Sequence, residues 1–223
     1  VSVSPIVIIG AGGFGREVLA LIRDINHKQD TWCPLGFVDD DKTLWGTHLC
    51  ELPVLGGLDW LAAQNGGVNA AMGIGNPQIR SMLVDAITPH VSSFPTLIHP
   101  SVIASRYVRI GTGTIITAGN ILTTQVEIGQ FVLLNLSCTV GHDSTIGHFS
   151  TLSPGVNVSG NVHIGEGCDI GTAGAQIPGV TVGDWSIIGA GAVVTNDLPA
   201  NCTAVGVPAR VIKRREPGWH LIQ

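Results

Sequence analysis

Apolar residues recur at every sixth position between Ile110 and Val194, and the pattern returns on itself every eighteenth. Ile110, Ile128, Ile146, Ile164 and Val182 form one column, each followed by a glycine (Gly111, Gly129, Gly147, Gly165, Gly183). Ile116, Leu134, Leu152, Ile170 and Ile188 form a second column. Leu122, Val140, Val158, Gln176 and Val194 form a third, with one polar exception. Neither the helix period of about 3.6 residues nor simple strand alternation gives this spacing. Fixed-period self-similarity signals a stacked repeat. The pattern predicts a coil of short strands in which each unit is one strand and one corner. Three units close a triangular turn, and the repeating residue points inward. Glycine and other small residues ease the tight corners. Turns stack about 4.8 Å apart, so residues eighteen apart lie one above the other. A weaker preceding turn runs through Ile98 and Ala104. Spacing leaves the hand of the coil open.

Upstream the period changes. Residues 6–9 read as a buried strand that runs into Gly10-Ala11-Gly12-Gly13-Phe14-Gly15 and a helix over 16–25. Further strands are predicted at 35–38 and 69–74, and helices near 58–64 and over 77–87. This is one βαβαβα half of a nucleotide-binding fold. Residues 88–100 carry Pro89, Pro95 and Pro100 and read as a linker. The chain divides into a Rossmann-like α/β domain, 1–95, and an all-β coil with a C-terminal tail, 96–223. A stack of parallel strands has two open ends. The first domain is expected to cover one and the tail the other.

The glycine turn lies between a strand and a helix, the context that gives it meaning. Such a turn lets backbone approach a ligand, and the helix start offers free N–H groups to an anion. Gly12, Gly13 and Phe14 are expected to line a nucleotide or nucleotide-sugar site. Asp39 and Asp40 would accept hydrogen bonds from ribose or base, with Asn76 at the start of a later helix and Arg80 just inside it to meet phosphate. Two other readings stand beside this one. An NAD-dependent oxidoreductase would use Asp39 on the ribose, but that fold takes two such halves and the chain has room for one. The glycines can also simply pack the first helix on the sheet.

Composition narrows the classes. Charged residues are 12% of the 223, well below the ordinary quarter, and there are 30 glycines. This favours tightly turned β structure over a helical bundle. The formal net charge is −5, and no basic run exceeds residues 213–215, so nucleic-acid binding has little electrostatic support. The apolar run at 6–9 is too short to span a bilayer and no signal-peptide layout precedes it. A soluble cytoplasmic protein is expected. Five cysteines (Cys33, Cys50, Cys138, Cys168, Cys202) without CxxC spacing read as scattered thiols in a reducing compartment.

A stack of strands offers catalysis only what projects from its faces. His142 stands at a corner between Gly141 and Asp143. Histidine is the natural general base near neutral pH. Stacking puts Gly160 one turn away, where its backbone N–H can stabilise an oxyanion. Asn135 can orient the base or the acceptor, and Asp143 can hold the imidazole tautomer. These are the parts of an acyl-transfer site. His27, His48, His90 and His220 read as surface residues. His148 and His163 differ in phase from His142, so one subunit cannot converge them on a metal, and none is expected.

The repeats, with Ile-Gly at each turn, resemble those of the hexapeptide-repeat acyltransferases, whose fold is a left-handed parallel β-helix. The stretch Ile188-Gly189-Ala190-Gly191-Ala192-Val193-Val194 through Gly206-Val207-Pro208-Ala209 is similar to their C-terminal signature. The opening Ile8-Ile9-Gly10-Ala11-Gly12-Gly13-Phe14-Gly15-Arg16-Glu17-Val18 resembles the branch with a Rossmann-like domain before the helix. That branch includes sialic acid O-acetyltransferases and N-acetyltransferases of UDP-4-amino-4,6-dideoxy sugars. The resemblance implies a homotrimer that uses acetyl-CoA as co-substrate. His142 would be the catalytic base, with Asp143, Asn135 and the Gly160 amide beside it. Acetyl-CoA would run between subunits past Gly160 and Pro178 towards Gly189 and Ala190, with its phosphates near Lys213. The nucleotide of the sugar would sit at Gly12, Gly13, Asp39, Asp40 and Asn76. Phe14 stands where many relatives have histidine, and Asp143 where the aminosugar enzymes carry glutamate. Two alternatives remain at this point: a γ-carbonic-anhydrase-like metal enzyme on the same fold, and a non-catalytic CoA- or nucleotide-binding scaffold.

Overall fold

The computed structural model describes residues 3–221. It begins with β1 (Ser4–Ile9), α1 (Gly13–Lys28), β2 (Trp32–Val38), β3 (His48–Leu49), β4 (Leu52–Gly56), α2 (Leu58–Ala62), β5 (Asn69–Met72) and α3 (Pro77–Ile87). The sheet order is β3-β4-β2-β1-β5, parallel except for the β3–β4 hairpin. The expected half-Rossmann order is present, with that hairpin added. β1 is central and covered on both faces, Ile6 and Ile8 in the core with α1 and Val7 and Ile9 in the core with α3, so all four are buried without alternation. Asn76 caps α3: its side chain accepts a hydrogen bond from the Ile79 amide, with Pro77 in the first turn.

From Leu97 the chain winds into a left-handed parallel β-helix of two-residue strands. Its first face runs from Leu97–Ile98 to the strands Cys202–Val205 and Arg210–Arg214. The second runs from Ile103–Ala104 to Val193–Val194, and the third from Arg109–Ile110 to Thr181–Val182. From Leu97 to Val194 the register between coils is an eighteen-residue step, as Leu122↔Val140 and Val140↔Val158 illustrate; the last coil, Ile188↔Ala204, is shorter by two residues. The inward columns fill one apolar core from Ile116 to Val194, continued by Leu198, Cys202, Ala204 and Ala209 of the tail.

The glycines after the inward isoleucines have a different role from the one expected. They are not among the residues with positive φ. A Cβ on Gly111 would lie 2.6 Å from the Gln130 nitrogen of the next coil, so glycine is needed there for close stacking. Positive φ falls two residues later, at every sixth residue from Gly113 to Gly191, and includes Gln125, Phe131, Asp143 and Trp185.

The α/β region docks differently from expectation. It does not cover the open end of the coil, where Ile98 is 38% exposed. It packs on the side. The outward residues Leu97, Ile115 and Leu133 of the first face join the core under α1, and Phe94 and Phe131 join the core under α3. The outward column of that face is apolar here, and burying it against an amphipathic helix removes more apolar surface from water than capping one coil would. The tail does close the far end, through the strands Cys202–Val205 and Arg210–Arg214.

Candidate active site

The corner between the second and third faces holds His142. Its backbone oxygen accepts from the Asn161 amide, which fixes the corner to the coil above. Asp143 adopts φ 58°, the left-handed region that aspartate tolerates better than most residues. That turn folds the carboxylate back, and His142 Nδ1 lies 2.8 Å from Asp143 Oδ2. An ionised carboxylate only accepts, so Nδ1 carries the proton and Nε2 presents a lone pair. The imidazole is exposed, its side chain 58% accessible.

Gly160 lies directly above. A Cβ there would sit 2.5 Å from His142 Nε2, so only glycine lets the ring lie over this backbone. Gly141 meets the same constraint: its Cβ would fall 2.6 Å from the Gly160 nitrogen. At two positions of the corner between the third and first faces, the residue one coil up caps the amide below. His148 Nδ1 accepts from Gln130 N at 2.8 Å, and Asp184 Oδ1 from Glu166 N at 2.9 Å. Pro178 occupies the equivalent place above Gly160 and has no side-chain acceptor. The Gly160 N–H has no hydrogen-bond acceptor among the described residues. The site thus has a free base and an uncapped donor side by side, the pair that acyl transfer requires.

The other expected residues fall in two places. Phe14, Asn76 and Asn135 line one cleft of about 310 Å³ between the α/β region and the first face, together with Glu17, Gly75, Leu133, Thr151, Ser153 and Asp169. Asp39 and Asp40 line a second cleft of about 150 Å³ at the strand ends, with Gly10 and Ile74. Asp39 is already engaged, its two oxygens accepting from the Ala11 and Asp41 amides at 2.7 and 2.9 Å. Gly12 and Gly13 are exposed at the start of α1, open to a ligand. Pro178 stands above Gly160, whereas Gly189 and Ala190 lie in the corner column that holds Asn135, one face away. Lys213 is exposed on the last strand.

The expectation that Arg80 meets phosphate is corrected. Arg80 is 2% exposed. Its guanidinium donates to the carbonyls of Phe131, Ile74, Gly75, Phe149 and Ser150 and to Thr151 Oγ1. It bolts α3 to the β-helix. Burial pulls its pKa down to about 9, which leaves it charged at neutral pH. His148 and His163 spend Nδ1 on Gln130 N and on Thr145 Oγ1, at 2.8 and 2.9 Å. Asp169, Thr151 and Ser153 were missed. The outward column Leu97, Ile115, Leu133, Thr151, Asp169 turns polar halfway up, and that break was visible in the eighteen-residue register.

Comparison with known proteins shows the family. The PglD N-terminal domain family matches residues 5–87. GDP-perosamine N-acetyltransferase of Escherichia coli O157:H7 is 33% identical over 213 residues, covering 93% of this chain and 96% of that protein. Perosamine N-acetyltransferase of Caulobacter crescentus, solved with CoA and GDP-perosamine as a histidine-to-asparagine variant, superposes with a TM-score of 0.87 at 32% identity, covering 95% of this chain and 98% of that one. The acetyltransferase domain of PglB from Neisseria gonorrhoeae, in complex with acetyl coenzyme A, gives 0.85 at 30% identity, covering 95% and 100%. With a half-Rossmann region, a left-handed β-helix and a corner histidine under an uncapped amide, this chain belongs to the PglD branch of the hexapeptide-repeat sugar acetyltransferases.

Proposed function

We propose that the protein transfers the acetyl group of acetyl-CoA to the amino group of a nucleotide-linked amino sugar, at sites shared between subunits of a homotrimer. The observation that carries this is the His142–Gly160 pair, a base with its tautomer fixed beside an amide without an acceptor. His142 Nε2 takes the proton as the amine attacks the thioester carbonyl. The Gly160 N–H stabilises the oxyanion, and CoA leaves as the thiol. Asp143 holds the imidazole and stabilises its charged form.

In this reading the nucleotide lies along the strand ends at Gly12, Gly13, Asp39, Asp40 and Asn76. The sugar enters the cleft of Phe14, Asn76 and Asn135. Acetyl-CoA runs past Gly160 and Pro178 towards Gly189, Ala190 and Lys213. The sharing between subunits is supported by the layout of the second face. Asn135 flanks it on one corner and His142 on the other. Between and beside them Ile103, Ile121, Leu136 and Ile177 are 65%, 41%, 44% and 39% exposed. An apolar strip of this kind marks a surface that another subunit covers. A second subunit laid there would bring its His142 corner to the Asn135 cleft of its neighbour.

The test is release of CoA thiol from acetyl-CoA with a panel of nucleotide-linked 4-amino sugars, GDP-perosamine among them, with the product identified by mass. One sugar that gains a single acetyl group is the expected result. Thiol release with none of the amino sugars, or only with hydroxyl acceptors, would remove the proposal.

A further inference from the structure

The cleft between the α/β region and the first face has two unlike walls. Phe14 and Leu133 form an apolar side; Asn76, Asn135, Thr151, Ser153 and Asp169 form a polar one. Most of the polar wall is already occupied. Thr151 Oγ1 donates to the Gly75 carbonyl and accepts from Arg80, at 2.7 and 2.8 Å. Asn76 Oδ1 caps α3 by accepting from Ile79 N, and Asn135 Oδ1 accepts from Leu136 N. The Ser153 hydroxyl and the Asp169 carboxylate are the exceptions, and Asp169 is the charged one. Its carboxylate has no hydrogen bond or ion pair with the described residues, although it is half-buried one coil above Thr151.

A half-buried carboxylate without a donor is costly. Burial pushes the Asp169 pKa up, and the Arg80 charge behind it holds it down. The Arg80 charge opposes that shift but lends the carboxylate no proton, because its N–H groups go to carbonyls and to Thr151. A carboxylate in this state has four open acceptor positions facing the cleft. Hydroxyl groups of a hexose are the donors that match. The amine that attacks the thioester must be free of such a partner, since an ammonium paired to Asp169 is not a nucleophile.

We infer that Asp169 determines acceptor specificity by accepting hydrogen bonds from ring hydroxyls of the sugar, while Phe14 and Leu133 pack its deoxygenated edge. This rests on the proposed function and adds a residue to it. The carboxylate holds the ring from the floor of the cleft, so the amine at another ring carbon is directed out towards the base. Hydrogen bonds to a charged acceptor are the strong kind, and removing the charge is read in recognition of the sugar rather than of acetyl-CoA.

The experiment compares wild type, Asp169→Asn and Asp169→Glu with GDP-perosamine as the varied substrate, alongside analogues of that sugar that each lack one ring hydroxyl. For Asp169→Asn, kcat/KM for the sugar should fall by about 10- to 100-fold, with KM for acetyl-CoA within about twofold of wild type. Asp169→Glu keeps the charge in front of Arg80 and moves the oxygens by one methylene; it should also lose sugar recognition. In wild type, one deoxy analogue should lose about as much as Asp169→Asn does, and the variant should no longer distinguish that analogue from the parent sugar. Sugar kcat/KM within about twofold of wild type in both variants would overturn the assignment and leave the proposed function standing. So would a deoxy penalty that persists in full in the variants. If wild type releases no thiol with any amino sugar, the proposed function falls and this assignment with it.

Discussion

At the scale of single residues, the chemistry depends on which groups the fold leaves without partners. Gly160 offers an N–H because Pro178, which stands above it, has no acceptor of the kind that His148 and Asp184 give to Gln130 and Glu166 at another corner. Gly160→Ala should therefore act through His142: the new Cβ would lie 2.5 Å from Nε2 and push the ring aside. A fall in kcat of about 10²-fold or more, measured by thiol release at saturating acetyl-CoA, is the expected outcome. Gln176 is a different kind of orphan. It is buried inside the prism between Val158 and Val194, with neither amide atom bonded among the described residues. Gln176→Leu restores the apolar column and should stabilise the fold by about 1–3 kcal/mol, seen as a higher midpoint in urea. Asp169 gives a pH signature. Its folded pKa lies above the unfolded value, so the folded state holds the proton more tightly. The stability it contributes is present in acid and is lost as pH rises through the folded pKa. Wild type should thus lose melting temperature relative to Asp169→Asn as pH climbs from about 4, measured by calorimetry across the carboxylate range.

At the scale of elements, the coil was legible and its attachments were not. Six-residue periodicity maps directly onto one strand and one corner, so the inward columns, the coil register and the stacking of Gly160 on His142 could all be read from the chain. The hairpin of β3 and β4 escaped because His48–Leu49 is only two residues long and Pro53 breaks a strand pattern. Arg80 misled for a physical reason. An arginine in the first turn of a helix resembles an anion ligand, and only tertiary packing shows its guanidinium passing inward to the carbonyls of Phe131, Phe149 and Ser150. Its removal should be felt as loosened docking. Arg80→Met leaves several buried carbonyls without donors and should cost about 3 kcal/mol or more of stability. Hydrogen exchange should then rise first in α3 and its contacts on the β-helix, and a uniform change across the chain would argue against the clamp.

At the scale of the whole molecule, the proposed function asks two chains to complete one site. Asn135 and the cleft it lines lie on one side of the second face, and His142 on the other. No repeat pattern in a single sequence states how copies meet; the exposed strip of Ile103 and Ile121 is the feature that points to a covered face. If copies meet there as proposed, Ile121→Lys should give smaller species than wild type in sedimentation velocity and remove activity together with the assembly. Retained activity in a monomeric variant would show that a single chain suffices. Among the described residues no helix is long and apolar enough to cross a membrane.

The proposal that His142 is the base is tested most directly by one ratio: kcat for thiol release by wild type over that of His142→Ala, at saturating acetyl-CoA and amino sugar. A ratio of about 10²–10⁴, with both substrates still bound by the variant, is the predicted result. A variant that turns over as fast as wild type would contradict it.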